Sequence, residues 1–190
     1  MSIVLFLGRS VKEYRVESER IIKELLKAGA LRCEICIQPM KQHSSYERGI
    51  KETGEKLTIA IIRCTPCNKG HALIPDFLLP HKHYSGNEIE SVIIESATLP
   101  VEEIETEASE STVRRWVMRI GESIKRACSI IKYMFKRAGK AISELSIITG
   151  TTYSELEQVL EMAPKTIKYS GNKLGLANLW LGANDNKAYI

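Results

Sequence analysis

The sequence predicts an α+β protein in which a small cysteine-rich β-hairpin is followed by a mainly α-helical region. Three observations lead to this class. Two C-x-x-C pairs flank residues 37–63, an alternating apolar run occupies residues 56–63, and apolar residues recur at helical spacing from residue 88 onward. With 190 residues and 44% hydrophobic content, the chain can bury a sizeable core.

The two cysteine pairs predict a zinc site. Each C-x-x-C can form a tight turn that presents two sulfurs on one side, and two facing turns complete a tetrahedron around Zn²⁺. Pro66 and the Asn68-Lys69-Gly70 run suit the second turn, whereas the first pair lacks a following glycine. The alternative is a redox role, but neither pair opens a helix in a βαβ context, so we favour zinc. The predicted ligands are Cys33, Cys36, Cys64 and Cys67.

Residues 31–86 are predicted to form a zinc ribbon and its connector. Strands at 43–51 and 56–63, joined by a turn near Gly54, would form a β-hairpin between the two cysteine turns. Metal binding supplies free energy that so small a module lacks. The irregular connector that follows contains His71, His81 and His83. These could form a second metal site, but four thiolates already fill a tetrahedral one, so we interpret them as packing residues or phosphate contacts.

This segment also resembles a known family. The cysteine pairs, the hairpin containing Tyr46-Glu47-Arg48 and the sequence HALIPDFLLPHKHYS at residues 71–85 are similar to a bacterial zinc-ribbon family found in and beside insertion-sequence transposases. The resemblance is close over about residues 30–86. His81 replaces the usual tyrosine and the first cysteine pair lacks its glycine, but neither difference touches a ligand. The resemblance implies a zinc ribbon, and it suggests a separate transposase subunit as a partner.

Residues 1–30 are predicted to contain an N-terminal packing helix that covers the ribbon, because apolar residues recur near 3.6-residue spacing between Val16 and Leu26, before Gly29. The apolar run at residues 3–7 is too short for a signal peptide, and no apolar run reaches the length of a membrane span. We therefore expect a cytoplasmic protein that does not associate with membranes. A reducing compartment again favours metal over disulfides.

Residues 87–140 are predicted to form a helix-turn-helix and a basic helix. Apolar spacing predicts a helix over 88–97, Pro100 can open a second, and residues 111–120 form a third. The sequence SESTVRRW at residues 109–116 resembles the start of a recognition helix. Polar groups at the helix N-terminus and basic groups along it can contact double-stranded DNA. The predicted contacts are Ser109, Ser111, Thr112, Arg114, Arg115, Arg119, Lys125 and Arg126.

Charge is one-sided in this region. The whole chain has a net charge of +4, and between Thr112 and Lys140 nine basic residues stand against one acidic residue, Glu122. That balance fits a helix that faces phosphates. The preceding segment, residues 102–110, is crowded with glutamates, so its surface must point away from DNA. The alternative is an ordinary amphipathic helix with a solvated basic face.

Residues 141–190 are predicted to form a C-terminal helical segment and tail, with a capping box at Ser154 and Glu157 and a helix end near Pro164. No catalytic motif accompanies these elements. The chain has two aspartates, Asp76 and Asp185, and neither is placed for a two-metal carboxylate site. We therefore expect a protein without catalytic activity.

The sequence thus predicts a non-catalytic, zinc-dependent DNA-binding protein. The resemblance associates it with transposases, in end recognition or in transcriptional regulation. The alternative is a zinc ribbon that serves a structural or protein-interaction role and makes no DNA contact.

Overall fold

In the residues that the computed structural model describes, 2–8, 10–33, 35–137, 151–162 and 172–185, the chain forms one four-stranded sheet and five α-helices. The predicted α+β class is confirmed. Buried apolar residues form two clusters. One lies between the sheet and the first helix and is here called the sheet core, and the other lies among the later helices and is called the helical core.

The sheet has the strand order β1-β4-β3-β2. The hairpin predicted between the cysteine pairs is formed by β2, Lys41–Gly49, and β3, Lys56–Arg63, which pair antiparallel. In its turn, the Ile50 N–H donates to the Glu55 carbonyl at 2.8 Å, and Gly54 takes a φ of +67°. A glycine suits this position because it accepts a positive φ without strain.

The predicted irregular connector is wrong over its first part. Gly70–Pro75 forms a regular strand, β4, which pairs antiparallel with β3. The N-terminal apolar run supplies β1, Ser2–Leu5, which pairs parallel with β4 at the edge of the sheet. Both strands are stabilised by pairing with residues remote in sequence, so local patterns alone do not distinguish them from loops.

The N-terminal helix, α1, spans Val11–Lys27 and covers the sheet. The Ser10 side chain caps its first turn, and Gly29 follows its end with a φ of +63°. Tyr14 and Ile22 belong to the sheet core, and the Tyr14 hydroxyl donates to the Thr58 carbonyl on β3 at 2.7 Å. The helix is therefore held on the hairpin by apolar packing and by a specific hydrogen bond.

The second region begins with α2, Gly86–Glu95. The helix predicted to open at Pro100 is absent from the described structure: Val101–Glu103 forms a single 3-10 turn, and Ile104 is extended. Like charges at nearby positions disfavour a helix in this glutamate-rich segment. In addition, the Thr106 hydroxyl accepts from the Ala108 N–H at 3.1 Å, a local bond that competes with helical hydrogen bonding.

The predicted helix at 111–120 does not end there. It continues as α3, Glu110–Arg137, a helix of 28 residues and about 42 Å. Its buried stripe begins at Val113 and Trp116 and runs to Phe135. Cys128 lies in this stripe, and burial raises the pKa of its thiol to about 12, so it is a protonated core residue.

Two further helices complete the helical core: α4, Thr152–Glu161, and α5, Lys173–Asp185. The predicted capping box at Ser154 is wrong, because Thr151 is the N-cap and accepts from the Ser154 N–H at 3.2 Å. Leu179 of α5 is buried in the sheet core, so α5 connects the two cores. The predicted helix end at Pro164 and the last residues of the tail lie outside the described residues. No described helix is long and apolar enough to cross a membrane.

Candidate metal centre and nucleic-acid interface

The first cysteine pair lies in a tight turn just before β2. The Ile37 N–H donates to the Cys33 carbonyl at 2.8 Å, and the Cys33 N–H donates to the Gln38 carbonyl at 2.9 Å. Ile37 takes a φ of +59° although it is β-branched, a conformation that costs free energy for such a residue. The position where the sequence lacks a glycine is therefore the strained position of this turn.

The second pair repeats the same turn after β3. The Cys64 N–H donates to the Lys69 carbonyl at 2.9 Å, and Asn68, in the place of Ile37, takes a φ of +58°. Asparagine adopts this conformation more readily than isoleucine. The residue with positive φ is thus Asn68, whereas Gly70 is already the first residue of β4. The two turns are equivalent and stand at the same end of the hairpin.

The four cysteine sulfurs converge between these turns. The Cys33 and Cys67 sulfurs are 3.4 Å apart, those of Cys36 and Cys64 are 3.2 Å apart, and all four lie within 4.8 Å of one another. Four sulfurs at about 2.3 Å from one metal ion would be about 3.8 Å apart, close to this spacing. All four thiols are free, so no disulfide competes for them. The group is positioned to hold a metal ion.

The pKa values of two cysteines in this cluster are shifted by their surroundings. The Cys36 backbone N–H points at the Cys33 sulfur and lowers the pKa of that thiol to about 6. The Cys67 backbone N–H acts in the same direction on Cys64, but burial and the neighbouring thiols outweigh it and raise the Cys64 pKa to about 12. Backbone amides therefore favour the thiolate forms of Cys33 and Cys64, while burial opposes them. A bound cation favours the thiolate form of its cysteine ligands.

The polar residues predicted to meet DNA lie at the start of α3. The Ser109 hydroxyl lies 3.2 Å from the Ser111 hydroxyl and 2.9 Å from the Thr112 hydroxyl. Ser109 and Ser111 are exposed. These hydroxyls form a small hydrogen-bonded group at the helix N-terminus, where backbone N–H groups are also unpaired by the helix.

Arg114 faces a different environment from its neighbours. Its guanidinium pairs with Glu110 at 2.8 Å and with Glu102 on the 3-10 turn. These two carboxylates neutralise the charge of Arg114 at the glutamate-rich segment, residues 102–110. Arg114 is therefore less suited to contact phosphate than the other predicted arginines.

Arg115, Arg119 and Arg126 form a single exposed stripe on α3, which is here called the arginine stripe. Successive helical rotations of 100° place the three within about 40° of one another, and the stripe extends about 16 Å along the axis. Among the described residues, none of the three forms an ion pair. Lys125 is exposed but lies about 80° away from Arg115 around the helix. Glu122, about 20° outside this sector, is the acidic residue of α3 that lies nearest to the stripe.

A basic loop lies beside the arginine stripe, and it contains two of the histidines interpreted above as packing residues or phosphate contacts, together with Lys82, which the sequence did not single out. Residues 81–83, here called the basic loop, contain His81, Lys82 and His83, and they line one cavity together with Arg115 and Arg119. The run of three cationic or titratable side chains was the available signal. Its position beside α3 depends on the long-range fold and is not visible in the sequence.

Comparison with known proteins adds one match. A family model described as a domain of unknown function (DUF6431) matches residues 33–116. The matched segment runs from the first cysteine of the cluster to Trp116 of α3, so it includes both cysteine turns, the hairpin, the basic loop and the start of α3. No curated protein and no solved structure matches the chain.

Proposed function

We propose that the protein is a non-catalytic, zinc-dependent protein that binds double-stranded DNA. The observation that carries this proposal is the arginine stripe, a row of guanidinium groups on one face of a long helix that form no ion pair with any described residue. An α-helix fits the DNA major groove, and arginine is suited to both phosphate and guanine. The stripe's length of about 16 Å corresponds to roughly five base-pair steps of duplex.

Zinc is the metal that the cysteine cluster supports best. Four thiolates in a small β-hairpin are the donor set of structural zinc sites, and a tetrahedral ion bound by four protein ligands has no open position for water or substrate. The metal would therefore hold the two cysteine turns together and would not take part in a reaction. Among the described residues, the cysteine cluster is also the one group of three or more metal-binding side chains.

The association with transposases rests on the resemblance of residues 30–86 to transposase-linked zinc ribbons. We propose a role in recognising element ends or in regulating transcription, with the catalytic steps performed by a separate subunit. The glutamate-rich segment at residues 102–110 is compatible with DNA binding by the arginine stripe. Its Glu102 pairs with Arg114, on a side of α3 about 100° from Arg115.

Binding to random duplex DNA, followed by fluorescence anisotropy at salt concentrations of about 50–200 mM, tests the proposal. The zinc-loaded protein should bind with an affinity that falls steeply as salt rises. Replacing Arg115 and Arg119 by alanine together should weaken binding. It should lower the salt slope by about two units if each arginine neutralises its own phosphate, or by about one if they share one.

A matched control removes the same charge elsewhere. Lys12 and Lys27 are exposed on α1, on the sheet side of the molecule, so Lys12→Ala with Lys27→Ala should leave the affinity and salt slope close to those of the parent. If the two double variants lose affinity equally, binding depends on net charge and the arginine stripe is not the DNA-binding face. If the parent does not bind duplex DNA, the proposal fails.

One observation favours the alternative of a protein-interaction module. Ile35 and Ile37 project from the first cysteine turn with 58% and 56% of their surface exposed. Exposed isoleucines at the tip of a rigid turn are suited to contact an apolar partner surface. If the parent protein contains a bound metal but does not bind duplex DNA, the protein-interaction role is favoured over DNA binding.

A further inference from the structure

A cavity lies between the basic loop and the start of α3. Its volume is about 260 Å³. Tyr84 and Trp116 form part of its wall, with their rings packed edge to face at 4.9 Å. The cationic and titratable side chains around it come from three separate parts of the chain. They are Lys51, His81, Lys82, His83, Arg115 and Arg119.

The basic loop is fixed from the hairpin side. Arg48 of β2 is buried, and its guanidinium donates to the Leu79 carbonyl at 2.7 Å and to the Lys82 carbonyl. The Lys51 N–H donates to the His83 carbonyl at 2.8 Å. His81 takes a φ of +60°, a strained conformation for a residue other than glycine. The loop is therefore held in one defined conformation against α3.

Among the residues that the structure describes, no carboxylate forms an ion pair with the lysines or arginines of this cavity. Glu52 is adjacent to Lys51 in the chain, but its carboxylate accepts the Ser85 N–H at 2.6 Å. Neither Arg115 nor Arg119 forms an ion pair with any described residue. Burial, followed by repulsion from Arg119 and Arg115, lowers the pKa of Lys82. The protein thus holds three cations close enough to repel one another, and an anion placed among them would relieve that repulsion.

We propose that this cavity binds one backbone phosphate of duplex DNA, held jointly by Lys82, Arg115 and Arg119. This inference rests on the proposed function and adds the position and ligands of a single contact. A phosphodiester has two charged oxygens that can accept hydrogen bonds from several donors at once, which suits a lysine and two arginines converging from two elements. Lys82 on the basic loop and the two arginines on α3 then contact the same DNA strand.

The cavity has a consequence for the salt dependence. If Lys82, Arg115 and Arg119 share one phosphate, replacing all three together lowers the salt slope by about one unit and not by three. Replacing Lys82 alone should weaken binding about tenfold, because one charged hydrogen bond to the phosphate is lost.

The first test uses inorganic phosphate and needs no DNA. A ligand that binds the folded protein alone raises its thermal stability, so phosphate should raise the melting temperature above that in chloride at equal ionic strength. Lys82→Ala and Arg115→Ala should each abolish this increase, while Lys12→Ala on α1 should retain it. Circular dichroism of each variant establishes that it is folded. If the parent gains no stability from phosphate, or if Lys82→Ala gains as much as the parent, the inference is wrong.

The second test uses a double-mutant cycle for DNA affinity. Lys82→Ala and Arg115→Ala act on the same phosphate, so the double variant should lose clearly less than the product of the two single losses. Arg126 does not line the cavity and lies about 16 Å along α3 from Arg115, so Lys82→Ala and Arg126→Ala should combine multiplicatively. Multiplicative behaviour of the first pair would overturn the shared contact while leaving DNA binding itself intact.

The two tests separate this inference from the proposed function. Stabilisation by phosphate without duplex binding would show that the cavity takes a free phosphorylated ligand, and it would overturn the assignment to a DNA backbone. Duplex binding that is unaffected by Lys82→Ala would overturn the cavity as a contact and would leave the arginine stripe as the interface.

Discussion

Replacing Trp116 by alanine is the sharpest test of how α3 is oriented. Trp116 is 4% exposed and lies in the helical core, where its ring meets Tyr84 of the connector edge to face at 4.9 Å. Met118 lies two residues further along the same helix, rotated by about 200°, and it is 61% exposed. The pair Trp116→Ala and Met118→Ala therefore compares the two faces of one helix at nearly the same height.

The expected losses differ several-fold. Truncating a buried tryptophan to alanine costs about 3–5 kcal/mol, a range that includes the cavity left behind, and the aromatic pair adds about 1 kcal/mol. Truncating an exposed methionine changes stability by about 0.5 kcal/mol or less. With a urea m-value near 2 kcal/mol/M, Trp116→Ala should lower the unfolding midpoint by roughly 2 M, against a few tenths for Met118→Ala.

Urea unfolding of the zinc-loaded protein, followed by circular dichroism, measures both effects without relying on tryptophan fluorescence. Tyr84→Phe is a useful companion because it retains the ring and removes only the hydroxyl, which donates to the Glu107 carbonyl at 3.3 Å. It should cost about 1 kcal/mol. Equal midpoints for Trp116→Ala and Met118→Ala would show that the buried stripe has been assigned to the wrong face, and the arginine stripe would lose its structural basis with it.

Two further predictions concern the metal and a buried carboxyl. Protein purified without added metal should contain one zinc per chain, and Cys64→Ser should lose the metal and disorder the cysteine turns, as seen by elemental analysis and hydrogen exchange; a folded, metal-free Cys64→Ser protein would refute a structural role. Burial raises the pKa of Asp76 to about 7, and its Oδ1 has no hydrogen-bond partner among the described residues, so folding favours the protonated form. The contribution of this carboxyl group to the free energy of unfolding is complete below its unfolded pKa near 4. It decreases by on the order of 4 kcal/mol as the pH rises to about 7. Asp76→Asn should remove that loss, so the free energy of unfolding of the variant should rise relative to that of the parent between pH 4 and 7. A constant difference between the two would contradict the shifted pKa.

The parts of the fold that follow from local patterns could be predicted from the sequence. The alternation in residues 56–63 and the turn at Gly54 lead directly to the hairpin, because a half-buried strand requires a period of two and a tight turn favours glycine. The cysteine cluster follows as well, since the C-x-x-C spacing determines which sulfurs can share a centre. These features depend on residues that are close in sequence or are joined by one short hairpin.

The features that the sequence did not reveal depend on remote contacts. Strand β1 exists because it pairs with β4, about 70 residues away in the chain, and no local signal encodes that partner. The helix predicted at Pro100 is absent for a local reason. Its apolar spacing was adequate, but the crowded glutamates and the Thr106 hydroxyl favoured another conformation. Arg48 resembles any surface arginine in the sequence, yet it is buried and holds the basic loop.

Arg48 also links the proposed metal site to the proposed DNA interface. The cysteine turns flank the Lys41–Arg63 end of the hairpin, and Arg48 lies seven residues along β2, about 24 Å from that end. Zinc would therefore act on DNA binding at a distance, by keeping the hairpin in the register that delivers Arg48 to the loop carbonyls. On this argument, loss of the metal should weaken DNA binding through the basic loop while the helical core remains folded. A metal-free protein should then resemble Lys82→Ala in its DNA affinity more closely than it resembles the double arginine variant.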